Sequence, residues 1–203
     1  MFVRIVDEFE GSFGWTPTEE ELRRRTSHAV ASGGRVWIVD ALDGEGIDGR
    51  IRQLGEPAGV VQLLDRHNRD CRAVAERLGV PLHVTPFGGV AGAPFDVVRV
   101  VDVPGWREAA LWFPGERILV CADAVGSASY FRAKGERIGV HPVLRLWPPK
   151  ALARFEPRQL LLGHGEGLAG DEAAQALQGA IRSSRRRIPG WLLGLRQSRR
   201  RVQ

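Results

Sequence analysis

The sequence predicts a single α/β sandwich. Three observations predict it: short β-branched runs recur along the chain, segments of helical spacing alternate with them in the first half, and no linker separates the halves. Phe2 to Phe9 alternates and reads as a strand. Pro17 to Arg25 is polar and charged, a loop or short helical turn. Arg35-Val36-Trp37-Ile38-Val39-Asp40 is a β-branched strand ending in an acid. Ile47, Ile51 and Leu54 recur at helical steps. Val60-Val61-Gln62-Leu63-Leu64-Asp65 is a short apolar run of the buried-strand kind. Cys71, Val74, Ala75 and Leu78 then line one helical face, and Gly79 stops that helix. Asp70 stands at its start, where the helix dipole favours a carboxylate. Val80 to Val84 returns to a strand.

The second half opens with a Gly/Pro-rich loop from Gly88 to Pro94. Phe95 to Val103 reads as a strand. Ala109 to Phe113 and Arg117 to Cys121 are two more, joined by the turn Pro114-Gly115-Glu116 as a hairpin. Leu160-Leu161-Leu162 is a last core strand. Asp171 to Arg182 is an amphipathic helix, with Asp171 as its expected cap and Ala173, Leu177 and Ile181 on one face. No internal repeat of 20 to 50 residues is visible.

At 203 residues the chain is long enough to bury a substantial core, and its 43% hydrophobic content is ordinary for a globular domain. No apolar run reaches the roughly 18 residues of a membrane span. Met1 to Glu8 lacks the basic start and apolar run of a signal peptide. Two cysteines, Cys71 and Cys121, make no disulfide framework, and a reducing, cytoplasmic setting is expected. The net charge of +5 is unevenly placed: Ile181 to Gln203 holds eight Arg and no acid, so the rest carries 5 − 8 = −3. The expected organisation is a domain over residues 1–180 and an Arg-rich tail over 181–203. Such a tail is either a solvated terminus or a contact for phosphate on nucleic acid or anionic lipid.

The chemistry concentrates in Arg66-His67-Asn68-Arg69-Asp70-Cys71, read with Pro104-Gly105-Trp106, Asp123 and Gly163-His164-Gly165. In order and spacing these fragments resemble the metal-binding motifs of the metallo-β-lactamase-type hydrolases. That family has H-x-H-x-D-H at a strand end, a P-G-H turn, a bridging Asp and a G-H-G turn. The resemblance runs from about Ser27 to about His164. Ser27-His28-Ala29 resembles the segment before the family's second strand, and Val39-Asp40 its strand-ending Asp, which supports the site without binding metal. Trp112-Phe113 through Ala122-Asp123 resembles the hairpin that delivers the bridging Asp. The resemblance implies a four-layer αββα sandwich of the metallo-β-lactamase type. It also implies a cleft at the sheet edge, where the family uses two zinc ions to lower the pKa of a shared water.

The first zinc site would take three His, and the matching positions are Arg66, Asn68 and Trp106. Arg offers no lone pair, Trp is a donor only, and Asn is a poor zinc ligand. A slip of one residue to His67 would turn the ring to the other face of the strand end. The first site is therefore expected to be lost. The second would match Asp70, Cys71, Asp123 and His164, and thiolate binds zinc well. A free Cys at a helix start is, however, more often a core residue. The main expectation is a degenerate metal site with no cofactor. Arg66 would pair with Asp70 or Asp123 in place of the metal, and Trp106 would fill part of the void.

The function expected first is thus a non-catalytic binding or regulatory role, a pseudoenzyme whose partner is a small molecule or a protein. The alternative is a mononuclear zinc hydrolase of an ester, thioester or phosphoester that uses Asp70, Cys71, Asp123 and His164. In a third reading the Arg-rich tail acts, with Trp191-Leu192-Leu193-Gly194-Leu195 lying at a membrane surface, packing on the domain or joining two copies. Cys71 as a nucleophile beside His67 or His164 lacks any visible oxyanion donor. His28 and His141 stand isolated. His83 lies within a strand. Gly88, Gly89 and Gly92 lack the strand-to-helix setting of a phosphate loop.

Overall fold

The computed structural model describes residues 1–19, 25–66 and 69–200. The expected polar segment from Pro17 to Arg25, and both His67 and Asn68, lie partly or wholly outside these. The first half forms strands β1 (Val3–Phe9), β2 (Ser12–Pro17), β3 (Ser27–Ser32), β4 (Arg35–Val39), then helix α1 (Ile47–Leu54), β5 (Glu56–Gln62), helix α2 (Cys71–Leu78) and β6 (Leu82–Val84). The second half forms β7 (Asp96–Val103), β8 (Trp106–Phe113), β9 (Ile118–Cys121), β10 (Val125–Gly126), β11 (Gly139–Val140), β12 (Gln159–Leu162), β13 (Leu168–Ala169) and helices α3 (Asp171–Ser183) and α4 (Ile188–Arg200). Short 3-10 turns occupy Pro142–Leu144 and Lys150–Arg154.

One large sheet has the order β1-β2-β3-β4-β5-β6, a second β13-β12-β9-β8-β7, and β10 and β11 form a separate two-stranded ribbon. β4, β5 and β6 run parallel, as the crossover helices α1 and α2 require. The second sheet is antiparallel except where β12 lies parallel to β9. Period-two alternation builds the layers. In β4, Val36 and Ile38 face α1 and α2, while Trp37 and Val39 face the opposite sheet. In β9, Ile118 and Val120 enter the space between sheets, while Leu119 and Cys121 face α3. Three cores result, one between the sheets and one under each helical layer, the αββα sandwich the sequence leads one to expect.

Among the described residues β2, β3 and the two-residue strands β10, β11 and β13 escape the hydrophobic pattern. β2 and β3 are short and interrupted by Ser, Gly and Thr, yet β2 is buried throughout. Gly14 explains part of this: a Cβ there would lie 3.0 Å from His28 Cδ2 on the neighbouring strand. The expected cap of α3 is corrected. Gly170, at φ 74°, holds the cap position, and Asp171 falls in the first turn. Here a positive φ decides the matter, because Gly takes it without steric cost.

Candidate functional site at the sheet edge

The backbone brings Asp123 and His164 together. Cys121, the last residue of β9, pairs in register with Leu162, the last residue of β12. Each strand then continues two residues to its polar side chain. Gly163 N–H donates to Cys121 O at 2.8 Å. Gly163 must be small, since a Cβ would sit 3.0 Å from Ala122 O. The His164 carbonyl accepts from Ser127 N and Ala128 N at 3.0 and 3.2 Å. His164 Nε2 then stands 2.9 Å from Asp123 Oδ1, with both side chains largely buried.

Behind Asp123 lies a residue the sequence reading passed over. Glu108, on β8, is fully buried. Its carboxylate accepts from Asp123 N at 3.0 Å, Ala124 N at 2.7 Å and Trp106 Nε1 at 2.9 Å. Burial, with repulsion from Asp123, pushes its carboxyl up from the usual 4.5 to about 7; the three donors only partly offset this. The signal was within reach, because Trp106 and Glu108 share a face at spacing two once the strand begins at Trp106.

Arg66 arrives by a cross-over between the sheets. Ala109 N donates to Leu63 O at 2.8 Å and Asp65 N to Arg107 O at 3.1 Å, so the segment after β5 is laid along β8. Trp106 is buried. The Arg66 guanidinium lies over it, 4.5 Å from the ring centroid, and donates to Gly105 O at 3.3 Å. Asp123 Oδ2 lies 4.0 Å from it. Of the two partners expected, Asp123 is the one approached. The expectation of a buried pair is corrected, since the Arg66 side chain is 47% exposed. A long side chain stacked on a ring reaches the rim and keeps its charge in water.

Asp70 and Cys71 turn elsewhere. Asp70 Oδ2 accepts from Asp43 N at 2.8 Å, and Asp70 N donates to Ala41 O at 2.9 Å. Cys71 is buried in the core under α1 and α2, its Sγ 3.8 Å from Ala41 O. Burial, with repulsion from Asp40, pushes its thiol up to about 12. That is the opposite of what a nucleophile needs. Arg69, at φ 24°, takes the centre of this side. It donates to Thr26 O at 2.7 Å, Asp40 O at 2.9 Å and Gly163 O at 3.3 Å, spanning both sheets. Asp40 itself accepts from Leu63 N at 2.8 Å.

Aromatic rings close the other wall. The His141 ring meets Trp106 edge-on at 4.9 Å and Phe131 at 5.5 Å. His164 has Tyr130 and Phe131 at 6.0 and 5.7 Å. Burial lowers the His141 pKa, as do the Arg66 and His164 charges, against an opposing pull from Asp123. Among the described residues two further histidines stand apart from this wall: His28 is buried 3.2 Å from Asp7, and His83 lies against Trp37.

Zinc requires several His, Cys or carboxylate groups converging on one point. Among the described residues no group of three or more such side chains is so arranged. Asp123 and His164 meet, whereas Asp70 is engaged by Asp43 N and the Cys71 thiol is in the core. The described side chains therefore do not fit the family's metal.

The architecture is that of the metallo-β-lactamases. The metallo-β-lactamase DIM-1 superposes with a TM-score of 0.56 at 15% identity, covering 91% of this chain and 99% of that one. The mono-zinc form of FIM-1 from Pseudomonas aeruginosa gives 0.54 at 15% identity, over 91% and 97%. TMB-1 gives 0.50 at 14% identity, over 91% and 99%. No protein-family model matches the sequence, and no curated protein matches it. The chain has the metallo-β-lactamase fold.

Proposed function

We propose that this chain is a metallo-β-lactamase-fold protein with a degenerate metal site, a pseudoenzyme that binds a small molecule or protein partner at the old cleft. The observation that carries the reading is Arg66 over Trp106, with its guanidinium 4.0 Å from Asp123. Both residues stand where the motif match puts histidine ligands. A permanent cation and an indole give metal no lone pair at neutral pH. The guanidinium instead leaves a positive charge at the cleft rim, next to the Asp123–His164 pair. The residues of the vestigial site are Arg66, Asn68, Asp70, Cys71, Trp106, Asp123 and His164. Both cysteines are free, which supports a reducing, cytoplasmic setting. The Arg-rich tail is read as a second contact, for an anionic surface.

Elemental analysis of chain never exposed to chelator tests the cleft reading. We expect well below one zinc per chain and no lactamase or esterase turnover. Stoichiometric zinc that disappears in Cys71→Ser and His164→Ala would establish the mononuclear hydrolase instead.

A further inference from the structure

We propose that the Pro142–Trp147 segment and the start of α4 together form a docking surface for the anionic phospholipid headgroups of a bilayer. The inference rests on reading the tail as a contact for an anionic surface and is independent of the cleft. Its new element is apolar and lies outside the tail. Val143, Leu146 and Trp147 are 66%, 50% and 72% exposed, although they occupy an ordered turn. Arg145, between them, is buried and pairs with Glu136 at 2.7 Å. The same guanidinium donates to Phe131 O and Ser184 O. This anchor fixes the turn, so the neighbouring apolar side chains are held out in solvent.

Hydrogen bonds place α4 beside that turn. Ser184 Oγ donates to Arg145 O at 3.0 Å and Arg185 Nε to Leu146 O at 2.8 Å. Trp191 Nε1 donates to Tyr130 O at 2.7 Å. Leu192 and Leu193 follow Trp191 and are again exposed. Arg185, Arg186 and Arg187 are exposed between the two apolar groups. The sequence from Ile181 to Gln203 carries eight Arg and no acid.

Large apolar side chains held out among arginines match a bilayer interface. Trp and Leu enter the headgroup boundary while Arg meets lipid phosphate. Among the described residues no helix is long and apolar enough to cross a membrane, so the contact is with the surface. A second copy placed symmetrically on this face would bring the two arginine sets together, at a cost in repulsion.

The test is sedimentation of the full chain with vesicles of phosphatidylglycerol and phosphatidylcholine, against vesicles of phosphatidylcholine alone, at fixed salt. We expect at least about tenfold stronger partition to the anionic vesicles. The pair Leu146→Ser and Trp147→Ser lies on exposed positions and should reduce that partition by about tenfold. Replacing Arg196, Arg199, Arg200 and Arg201 with Gln should reduce it similarly. Brominated lipid should quench tryptophan emission in the wild type and much less in Trp147→Ser. Absence of partition to anionic vesicles overturns the proposal. So does partition that survives either set of substitutions. Tighter binding of a single-stranded oligonucleotide at the same salt assigns the surface to nucleic acid, and self-association abolished by Trp147→Ser assigns it to a second copy. Vesicle failure together with zinc-free protein would sink only this inference, leaving the cleft reading intact.

Discussion

The two sides of the cleft are built differently. On one side Asp123 and His164 are placed by backbone: two parallel strands end in register, and each continues two residues to its polar group. On the other side the described residues Arg66, Arg69, Asp70 and Cys71 belong to a connection that their side chains hold in place. Asp70 takes Asp43 N, Cys71 enters the helix-side core, and Arg69 gathers three carbonyls. A pair fixed by strand register owes its geometry to the backbone. A connection without such register satisfies its groups locally, and here it does so with a guanidinium.

The largest expected effect belongs to the ring both sides share. Trp106→Ala should destabilise by about 3–5 kcal/mol, through the cavity left by a buried aromatic. It also takes a donor from Glu108 and the platform from Arg66. Denaturant midpoints measure it. A loss under about 1 kcal/mol would mean that the loop repacks freely and that the two sides are not coupled through this ring.

Arg69→Ala tests the loop side alone. Hydrogen bonds from a charged donor each contribute about 1.5–3 kcal/mol, and water can recover part of three lost ones. A net loss of about 3 kcal/mol is expected, with Arg69→Lys recovering less than half, because an ammonium cannot span the two sheets as a planar fork does. A wild-type midpoint for Arg69→Ala would leave the loop without the guanidinium brace assigned to it.

Much of this was legible in the sequence. Residues 47–54 and 71–78 are helical with the bounds their apolar spacing gives, and Gly79 at φ 70° ends the second. The strand ends delivering Asp123 and His164 follow from two apolar runs and a Gly-His-Gly turn. β2 and β3 were missed because Ser, Gly and Thr hide their alternation, and α4 because Pro189, Gly190 and Gly194 dilute its helical signal. The site was legible as a set of positions but not as directions. A residue at a helix start can aim at the cleft or back at its own backbone, and Asp70 does the latter. Arg69 fell on an unspecified motif position, and nothing local marks a guanidinium that will find three distant carbonyls.

Glu108 sharpens the strand side. The unfolded chain releases this proton near 4.5 and the folded chain near 7. Between those values unfolding releases a proton, so stability is highest at the acid end of the window, falls as pH rises through it, and is level above. The upper bound on this contribution is about 3 kcal/mol, at about 1.4 kcal/mol per tenfold in proton affinity. Glu108→Gln cannot ionise, so its stability should lack this decline, and urea midpoints at pH 5 and pH 8 compare the two chains. An identical decline in the variant would place the titration in another group.

The smallest effect is expected at Arg66, and it is the one that separates a rim contact from a buried replacement for metal. Its side chain is 47% exposed and 4.0 Å from Asp123 Oδ2, beyond hydrogen-bond reach. Exposed ion pairs contribute about 0–1 kcal/mol, and a cation over a ring at an exposed site about 0.5–1 kcal/mol. Arg66→Ala should therefore cost about 1 kcal/mol, and the cycle with Asp123→Asn should show coupling below about 1 kcal/mol that shrinks with added salt. The alternative is equally measurable: removing one member of a buried pair costs about 3–5 kcal/mol, because the other charge is stranded. A loss of that size, insensitive to salt, would mean that the guanidinium is buried against Asp123 and that the proposed replacement of metal charge by Arg66 holds. A small, salt-sensitive one leaves Asp123 held by His164 and Glu108, with Arg66 at the rim where a ligand would meet it first.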